Sequence, residues 1–205
     1  MTDDKKEMDP GRHAEKMAKK KAARDKIMAK KTEEKGLLIV HTGKGKGKTS
    51  AAMGMAVRCI AHGMRVGIIQ FIKGAMATGE REVFEKFPDL CTIQAMGEGF
   101  SWESQDKERD RLAARAAWDA AKALMADPSY KMIILDELNI VLRYDDLDRG
   151  EVIRTLAERR PDLHMVVTGR NASEALIEAA DLVTEMELVK HPFRSGVKAQ
   201  AGIEF

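Results

Sequence analysis

A glycine-rich segment follows a short apolar run near residue 40, and it constrains the fold more than any other part of the sequence. The run covers residues 37–40, and the segment reads HTGKGKGKTS over residues 41–50. Glycines at alternate positions allow the backbone N–H groups to turn inward, and a helical pattern follows directly. A strand, a glycine-rich loop and a helix N-terminus in this order form a binding site for phosphate groups. The sequence therefore predicts an α/β fold that binds a polyphosphate.

Short apolar runs alternate with helical patterns along the chain after residue 36, and tight hairpin signals are absent. Such alternation favours a mainly parallel sheet of about six buried strands with helices on both faces, an α/β fold of the P-loop NTPase-like, RecA-like kind. The predicted strands are 37–40, 66–71, 91–95, 132–135, 163–167 and 182–186. The predicted helices are 49–62, 106–125, 147–159 and 173–180.

Residues 1–35 differ in composition from the rest of the chain. They hold 12 Lys and Arg against 8 Asp and Glu, whereas residues 36–205 hold 23 against 25. A helix can begin after Gly11, but its apolar positions form only a thin stripe that could not support packing by itself. We therefore predict an N-terminal basic helical arm or lid over residues 1–35, with a solvated tail as the alternative, and one domain over residues 36–205.

Composition argues against several classes of protein and partner. No segment has the apolar centre of a signal peptide, and no run of about 18 apolar residues could cross a membrane, so we expect a cytoplasmic protein with no membrane partner. Cys59 and Cys91 stand apart in apolar surroundings, which indicates buried reduced thiols. The nearly neutral charge of residues 36–205 argues against a nucleic-acid partner, and leaves a nucleic-acid-binding ATPase with a basic arm as an alternative.

The lysine and threonine that end the glycine-rich loop are the first candidates for phosphate and metal binding. Lys48 can reach a phosphate oxygen as a point charge, and the Thr49 hydroxyl can ligate Mg²⁺. The common pattern G-x-x-x-x-G-K-[ST] would have a glycine where this chain has Thr42, so the loop is a variant. The predicted nucleotide-binding residues of the loop are Thr42, Gly43, Lys44, Gly45, Lys46, Gly47, Lys48, Thr49 and Ser50.

Two adjacent carboxylates, Asp136 and Glu137, end the apolar run at 132–135. The carboxyl ends of parallel strands share one edge of the sheet, so these carboxylates should lie on the same side as the phosphate loop. Such a carboxylate can hold Mg²⁺ directly or through water, which makes Thr49, Asp136 and Glu137 the predicted metal set. The alternative is that Asp136 caps the N-terminus of a following helix.

Seven phrases in the same order make residues 36–205 resemble the P-loop corrinoid adenosyltransferases. These enzymes share the threonine variant of the loop. The phrases are TGKGKGKT at 42–49, QFIKG at 70–74, GER at 79–81, GFSWE at 99–103, LDEL at 135–138, TGR at 168–170 and VKHPF at 189–193.

The resemblance implies that cobalt(I) of a corrinoid attacks the 5′ carbon of ATP and that triphosphate leaves. It implies Mg²⁺ or Mn²⁺ as cofactor, catalytic roles for Lys48, Thr49 and Glu137, and a phosphate contact from Arg58, whose alternative is an ordinary exposed arginine. Because the substrate's own metal is the nucleophile, no nucleophilic side chain or general base is needed. The resemblance further implies a homodimer and allows a reduced flavoprotein as electron donor.

Two aromatic residues in the phrase GFSWE are the predicted corrinoid-binding residues, and they stand out because the aromatic fraction of the chain is only 5%. Phe100 and Trp102 resemble aromatic residues that face the corrin and ease reduction of cobalt(II), whereas their alternative is to anchor a loop to the core. Lys73 is a weaker candidate for the same site, and the arm resembles a helix that folds over the corrinoid. The sequence leaves open whether the acceptor is cobalamin, cobinamide or an a,c-diamide precursor. A P-loop kinase or hydrolase that produces ADP is the remaining alternative.

Overall fold

The structure is a computed structural model that describes residues 10–72, 79–96 and 107–204. The chain separates into two compact units, Met1–Glu34 and Lys35–Phe205. In the first unit, helix α1 covers Pro10–Met28, close to the predicted start after Gly11. Among the described residues, no helix is both long enough and apolar enough to cross a membrane.

The second unit is built on one sheet of six strands, all of them parallel to their neighbours, in the order β3-β2-β4-β5-β1-β6. The predicted parallel sheet of about six strands is therefore confirmed, with small shifts of the strand ends. The strands are β1 Leu38–Thr42, β2 Arg65–Gln70, β3 Cys91–Ala95, β4 Tyr130–Asp136, β5 His164–Thr168 and β6 Leu182–Glu185.

Six helices of the second unit lie among its described residues, together with a 3₁₀ turn at Pro192–Ser195. Four of them correspond to the predicted helices and two, α3 and α5, were not predicted. Each of these two has only six residues, which gives a helical period little length in which to show. The helices are α2 Lys48–Ala61, α3 Gly79–Phe84, α4 Lys107–Ala126, α5 Leu138–Arg143, α6 Arg149–Ala157 and α7 Glu174–Ala179.

Strand β4 shows why the apolar runs are continuous. Successive side chains of a strand point to opposite faces, and β4 is buried on both. Ile133 and Leu135 belong to a core cluster that includes Trp118 of α4, whereas Ile134 belongs to a second cluster that includes Met53 of α2. The helices therefore cover both faces of the sheet, as predicted.

Both cysteines lie in the second of these clusters and form no disulfide. Burial raises the pKa of the Cys59 thiol, and it raises the pKa of the Cys91 thiol to about 11. Both thiols therefore stay protonated near neutral pH. This agrees with the expectation of buried reduced cysteines.

The prediction that all six strands are buried is wrong at the two edges of the sheet. Strand β6 has one neighbouring strand, β1, and Leu182 at its start is 45% exposed. Strand β3 has only β2 as neighbour, and its residues after Cys91 are half-buried. An edge strand lacks the second neighbour that would cover it, and a short apolar run does not reveal this position.

The carboxyl edge of the sheet brings buried polar side chains together. Strands β1, β2, β4 and β5 end in Thr42, Gln70, Asp136 and Thr168, and each of these side chains is at most 5% exposed. Burying a polar group is unfavourable unless it is hydrogen-bonded, so these groups must satisfy one another or a ligand. This edge is also where α/β sheets bind their ligands.

Candidate active site at the carboxyl edge of the sheet

The loop between β1 and α2 is tied to the segment that follows β6. The Gly45 N–H donates to the Met186 carbonyl at 2.6 Å, and the Met186 N–H donates to the Thr42 carbonyl at 2.9 Å. Gly43 and Gly47 have φ of 95° and 103°, which side chains other than glycine rarely adopt, and a Cβ on Gly43 would collide with the Met186 carbonyl. Glycine is therefore required at residue 43 by both backbone conformation and space, and at residue 47 by backbone conformation.

Lys48 begins helix α2, and its side chain is only 7% exposed. Its Nζ donates to the carbonyl oxygen of Gly43 at 3.0 Å and to that of Gly45 at 2.5 Å, which holds the ammonium group against the loop. Burial lowers the pKa of Lys48, and Glu137 nearby opposes this while Arg170 and Lys46 add to it. The site thus keeps a desolvated cation where the loop would hold phosphates.

Thr49 and the end of β4 are joined by hydrogen bonds that converge on one carboxylate. Oδ1 of Asp136 accepts from the Thr49 hydroxyl at 2.9 Å and from the Thr168 hydroxyl at 2.7 Å, and Oδ2 accepts from Gln70 Nε2 at 3.2 Å. Asp136 is fully buried, and three donors compensate for the loss of its hydration. The network joins the end of β4 to the first turn of α2, to β5 and to β2.

The alternative in which Asp136 caps a helix is wrong. Asp136 is the last residue of β4, and the residue at the cap position of α5 is Glu137, with φ of 63° and no side-chain cap bond. The Glu137 N–H donates to the Thr168 hydroxyl at 2.9 Å instead. A left-handed conformation at a glutamate is uncommon and often marks a functional site.

The predicted metal set offers one hydroxyl and two carboxylates, which are the oxygen ligands that Mg²⁺ and Mn²⁺ prefer. No group of three or more His, Cys, Asp and Glu suited to a metal occurs in the described part of the chain. Mg²⁺ at nucleotide sites usually takes one or two carboxylates together with phosphate oxygens and water, so Thr49, Asp136 and Glu137 fit it without a larger cluster.

A sequence profile of the family described as ATP:corrinoid adenosyltransferase BtuR/CobO/CobP matches residues 34–205. The chain belongs to this family. A second profile, described as the N terminal of cob(I)alamin adenosyltransferase, matches residues 11–28 within α1. Membership confirms the resemblance seen in the sequence and establishes the reaction class, which is transfer of an adenosyl group from ATP to a corrinoid.

Relatives with the name corrinoid adenosyltransferase span nearly the full chain. The relative from Sinorhizobium sp. is 63% identical over 97% of this chain and 94% of its own length. Those from Pseudomonas aeruginosa and Escherichia coli K12 are 51% and 42% identical, over 95% and 97% of this chain and 96% and 100% of their own lengths.

Similar solved structures include a KaiC-like protein from Pyrococcus horikoshii and a RadB recombinase. Their TM-scores are 0.49 and 0.47, with 18% and 12% sequence identity. Each alignment covers 75% of this chain. It covers 72% of the KaiC-like protein and 75% of the RadB recombinase.

Three of the other predicted loop residues occupy more open positions than Lys48. Lys44, Lys46 and Ser50 are exposed, and the Lys46 ammonium group forms an ion pair with Glu204. Arg58 is exposed in the last turn of α2, and ten residues of helix separate it from Lys48 by about 15 Å along the axis. The structure does not bring Arg58 to the loop within this chain, and its phosphate contact stays a prediction.

The predicted corrinoid-binding residues Lys73, Phe100 and Trp102 lie outside the described residues, so their roles stay predictions. Sequence reasoning missed several residues that build the site, namely Gln70, Thr168 and Asn139. Gln70 and Thr168 belong to two of the phrases shared with the family, and each stands at the end of an apolar run. A polar residue in that position was a usable signal.

Proposed function

We propose that the chain transfers the 5′-adenosyl group of ATP to the cobalt(I) of a corrinoid, with triphosphate as leaving group, in adenosylcobalamin biosynthesis or salvage. The observation that carries the proposal is the desolvated ammonium group of Lys48, held against the glycine loop beside Thr49 and Asp136. This is a cradle for a highly charged polyphosphate, built before the ligand arrives.

The bond changes are simple and balanced. An electron pair on cobalt(I) forms the bond to C5′ of ATP. The bond from C5′ to the phosphate ester oxygen breaks, and triphosphate leaves with the electron pair of that broken bond. Cobalt becomes formally cobalt(III). No proton is removed from the nucleophile, so the site requires no general base, and the protein's main electrostatic task is to stabilise the departing anion.

Lys48 and the N–H groups of the loop bind the triphosphate in this account. Thr49 and Glu137 bind its metal ion, and Asp136 holds the Thr49 hydroxyl in place from its buried position. Mg²⁺ or Mn²⁺, when bound, supplies positive charge that offsets the charge of the phosphates. The remaining predicted loop residues and Arg58 are proposed as further contacts to the nucleotide.

The corrinoid side of the proposal uses Phe100 and Trp102, with Lys73 in a minor role. Aromatic side chains against the corrin would displace the lower axial ligand and make cobalt(II) easier to reduce. Alanine at Phe100 or Trp102 should then impair reactions started from cobalt(II) much more than reactions started from chemically prepared cobalt(I). Equal losses in both assays would favour a structural role for the two rings.

The proposal also covers the oligomeric state of the protein, its electron donor, its location and the role of residues 1–35. Homodimer formation, a reduced flavoprotein as electron donor and a lid role for residues 1–35 are proposed from the family resemblance. A cytoplasmic location is proposed from the composition of the sequence. Sedimentation equilibrium tests the dimer directly. A mass of one chain across the working concentration range would remove it from the account.

The role of Lys48 is tested by substitution. Lys48→Ala should lower the rate of adenosyl transfer by about 100-fold or more, because loss of one preorganised donor to a developing anion has about that effect. The matched control is Lys86→Ala, which changes an exposed lysine before β3, near the opposite edge of the sheet. A Lys48→Ala enzyme as active as Lys86→Ala would contradict the proposed cradle.

A further inference from the structure

Arg170 emerges from the sheet between the two halves of the candidate site. Strand β5 lies between β1 and β4, so the residues after Thr168 come out between the phosphate loop and the Asp136–Glu137 pair. Arg170 is exposed and is the second residue after the strand ends. The topology therefore places a guanidinium group at the edge where the triphosphate of ATP is proposed to bind.

The turn that carries Arg170 is held from both sides. The Gly169 N–H donates to the His41 carbonyl of β1 at 3.2 Å, and the Gly169 carbonyl accepts from Asn139 Nδ2 of α5 at 2.9 Å. Gly169 has φ of 127°, and a Cβ there would lie 2.8 Å from Cβ of Asn139. The direction in which the chain leaves β5 is therefore fixed by two hydrogen bonds and by a contact that only glycine permits.

Asn139 has little reason to be at this position apart from holding the turn. It is 2% exposed, and its Oδ1 is buried without a hydrogen-bond partner among the described residues. Leaving such an acceptor unsatisfied is destabilising, and an apolar residue would avoid that cost. The bond from its amide nitrogen to Gly169 is the one hydrogen bond its side chain makes to the described chain.

Arg170 has no partner for its charge within hydrogen-bond or ion-pair distance in the described part of the chain. Its guanidinium group forms neither kind of contact there. An exposed arginine in this position is therefore available to an anionic ligand. Guanidinium matches phosphate oxygens with two parallel hydrogen bonds, which an ammonium group cannot do.

We propose that Arg170 is a second phosphate-binding residue, which contacts the triphosphate of ATP beside Lys48, and that Asn139 is its positioning residue through the Gly169 turn. The inference rests on the proposed triphosphate cradle and adds to it a residue on β5. Because a departing triphosphate carries more charge than the ester, the contact strengthens as the leaving group forms.

Binding of inorganic triphosphate with Mg²⁺, measured by calorimetry, tests Arg170 without the corrinoid. Arg170→Ala should weaken this binding by about 10- to 100-fold, the effect of one charge-assisted contact, and Arg170→Lys should restore part of it. Adenosine, which has no phosphate, should bind Arg170→Ala and the unaltered chain equally. The control is Arg154→Ala, an exposed arginine on α6, the helix that leads into the amino end of β5, and it should bind triphosphate as the unaltered chain does.

A double-mutant cycle tests Asn139. Asn139→Ala should weaken triphosphate binding in the unaltered chain but cause no further loss in the Arg170→Ala chain, because its effect passes through Arg170. Additive losses would overturn the positioning role. Arg170 is exposed, so Arg170→Ala is decisive even if Asn139→Ala does not fold.

The two proposals fail in distinguishable ways. Unchanged triphosphate binding in Arg170→Ala, with a large loss in Lys48→Ala, overturns only the role of Arg170. Unchanged binding in both variants overturns the cradle itself.

Discussion

The hydroxyl of Thr49 donates a hydrogen bond of 2.9 Å to Oδ1 of Asp136, a residue 87 positions later in the chain. The bond joins the first turn of the helix after the phosphate loop to the end of β4. It holds the Thr49 hydroxyl, which is proposed to ligate the metal, against the fully buried Asp136 carboxylate. The next residue, Glu137, has a left-handed backbone conformation. The side chains predicted to bind the metal are therefore organised by the protein before nucleotide binds.

Asp136→Asn should raise the Mg²⁺ concentration needed for half-maximal adenosyl transfer by about 10-fold or more, or abolish activity. The amide replaces one of the two carboxylate oxygens with an NH₂ group, so at least one of the hydrogen bonds from Thr49, Thr168 and Gln70 is lost, together with the negative charge beside the Thr49 hydroxyl. A magnesium titration of the transfer rate measures the effect. Asp162→Asn, before the amino end of β5, is the control, and equal magnesium dependence in the two variants would contradict the account.

Gly43→Ala should abolish measurable ATP binding while the protein stays folded. The new Cβ would collide with the Met186 carbonyl at a φ of 95°, so the loop must move away from the geometry that turns its N–H groups inward. Equilibrium binding of a fluorescent ATP analogue reports the loss. Gly54→Ala on α2 is the matched control, because a Cβ there meets nothing within 4 Å.

The control variant has its own expected outcome. Gly54 lies within α2, where alanine is favoured over glycine by about 0.5–1 kcal/mol, so Gly54→Ala should raise the free energy of unfolding and leave ATP binding unchanged. ATP binding by Gly43→Ala at the level of Gly54→Ala would show that the loop does not need its left-handed glycine.

ATP binding should weaken as the pH rises, and at a lower pH than the one at which an ordinary lysine loses its proton. Burial lowers the pKa of Lys48 from 10.5, so the protonated form that attracts phosphate is lost at a lower pH in the free protein. The dissociation constant of ATP, measured across the alkaline range, should rise as that proton leaves. Lys48→Arg should lack this limb because guanidinium stays protonated, and an identical limb in Lys48→Arg would assign it to another group.

Asp181→Asn should lower the free energy of unfolding by about 1–2 kcal/mol near neutral pH, because hydrogen bonds to a charged group are lost. Hydrogen bonds from the Lys35 side chain and the Leu38 N–H lower the pKa of Asp181 below 3.8. A carboxyl with a lowered folded-state pKa contributes its stability above 3.8 and loses it as the pH falls through the folded value.

Urea unfolding at several pH values therefore checks the sign of this effect. The difference between the unaltered chain and Asp181→Asn should be full near neutral pH and should shrink below 3.8. Asp89→Asn, at an exposed position, should show almost no difference at any pH. A difference that grows on acidification would contradict the assignment.

The parallel sheet, its phosphate loop and the acidic end of β4 could be predicted, because each depends on local sequence. Strand order could not, since the placement of β5 between β1 and β4 is decided by packing of distant segments. For that reason Thr168 and Asn139 were missed: their roles exist only because β5 and α5 meet at the site. The exposure of β6 could not be predicted for the same reason, because the strand order is what places β6 at the edge of the sheet.

The products of a single turnover test the central claim most directly. With cobalt(I) corrinoid, ATP and magnesium under strictly reducing conditions, the visible spectrum should change to that of a light-sensitive alkylcobalt corrinoid. One triphosphate should appear for each adenosyl group transferred. ADP and phosphate as the stoichiometric products of ATP, with no adenosyl group on cobalt, would contradict the proposed reaction.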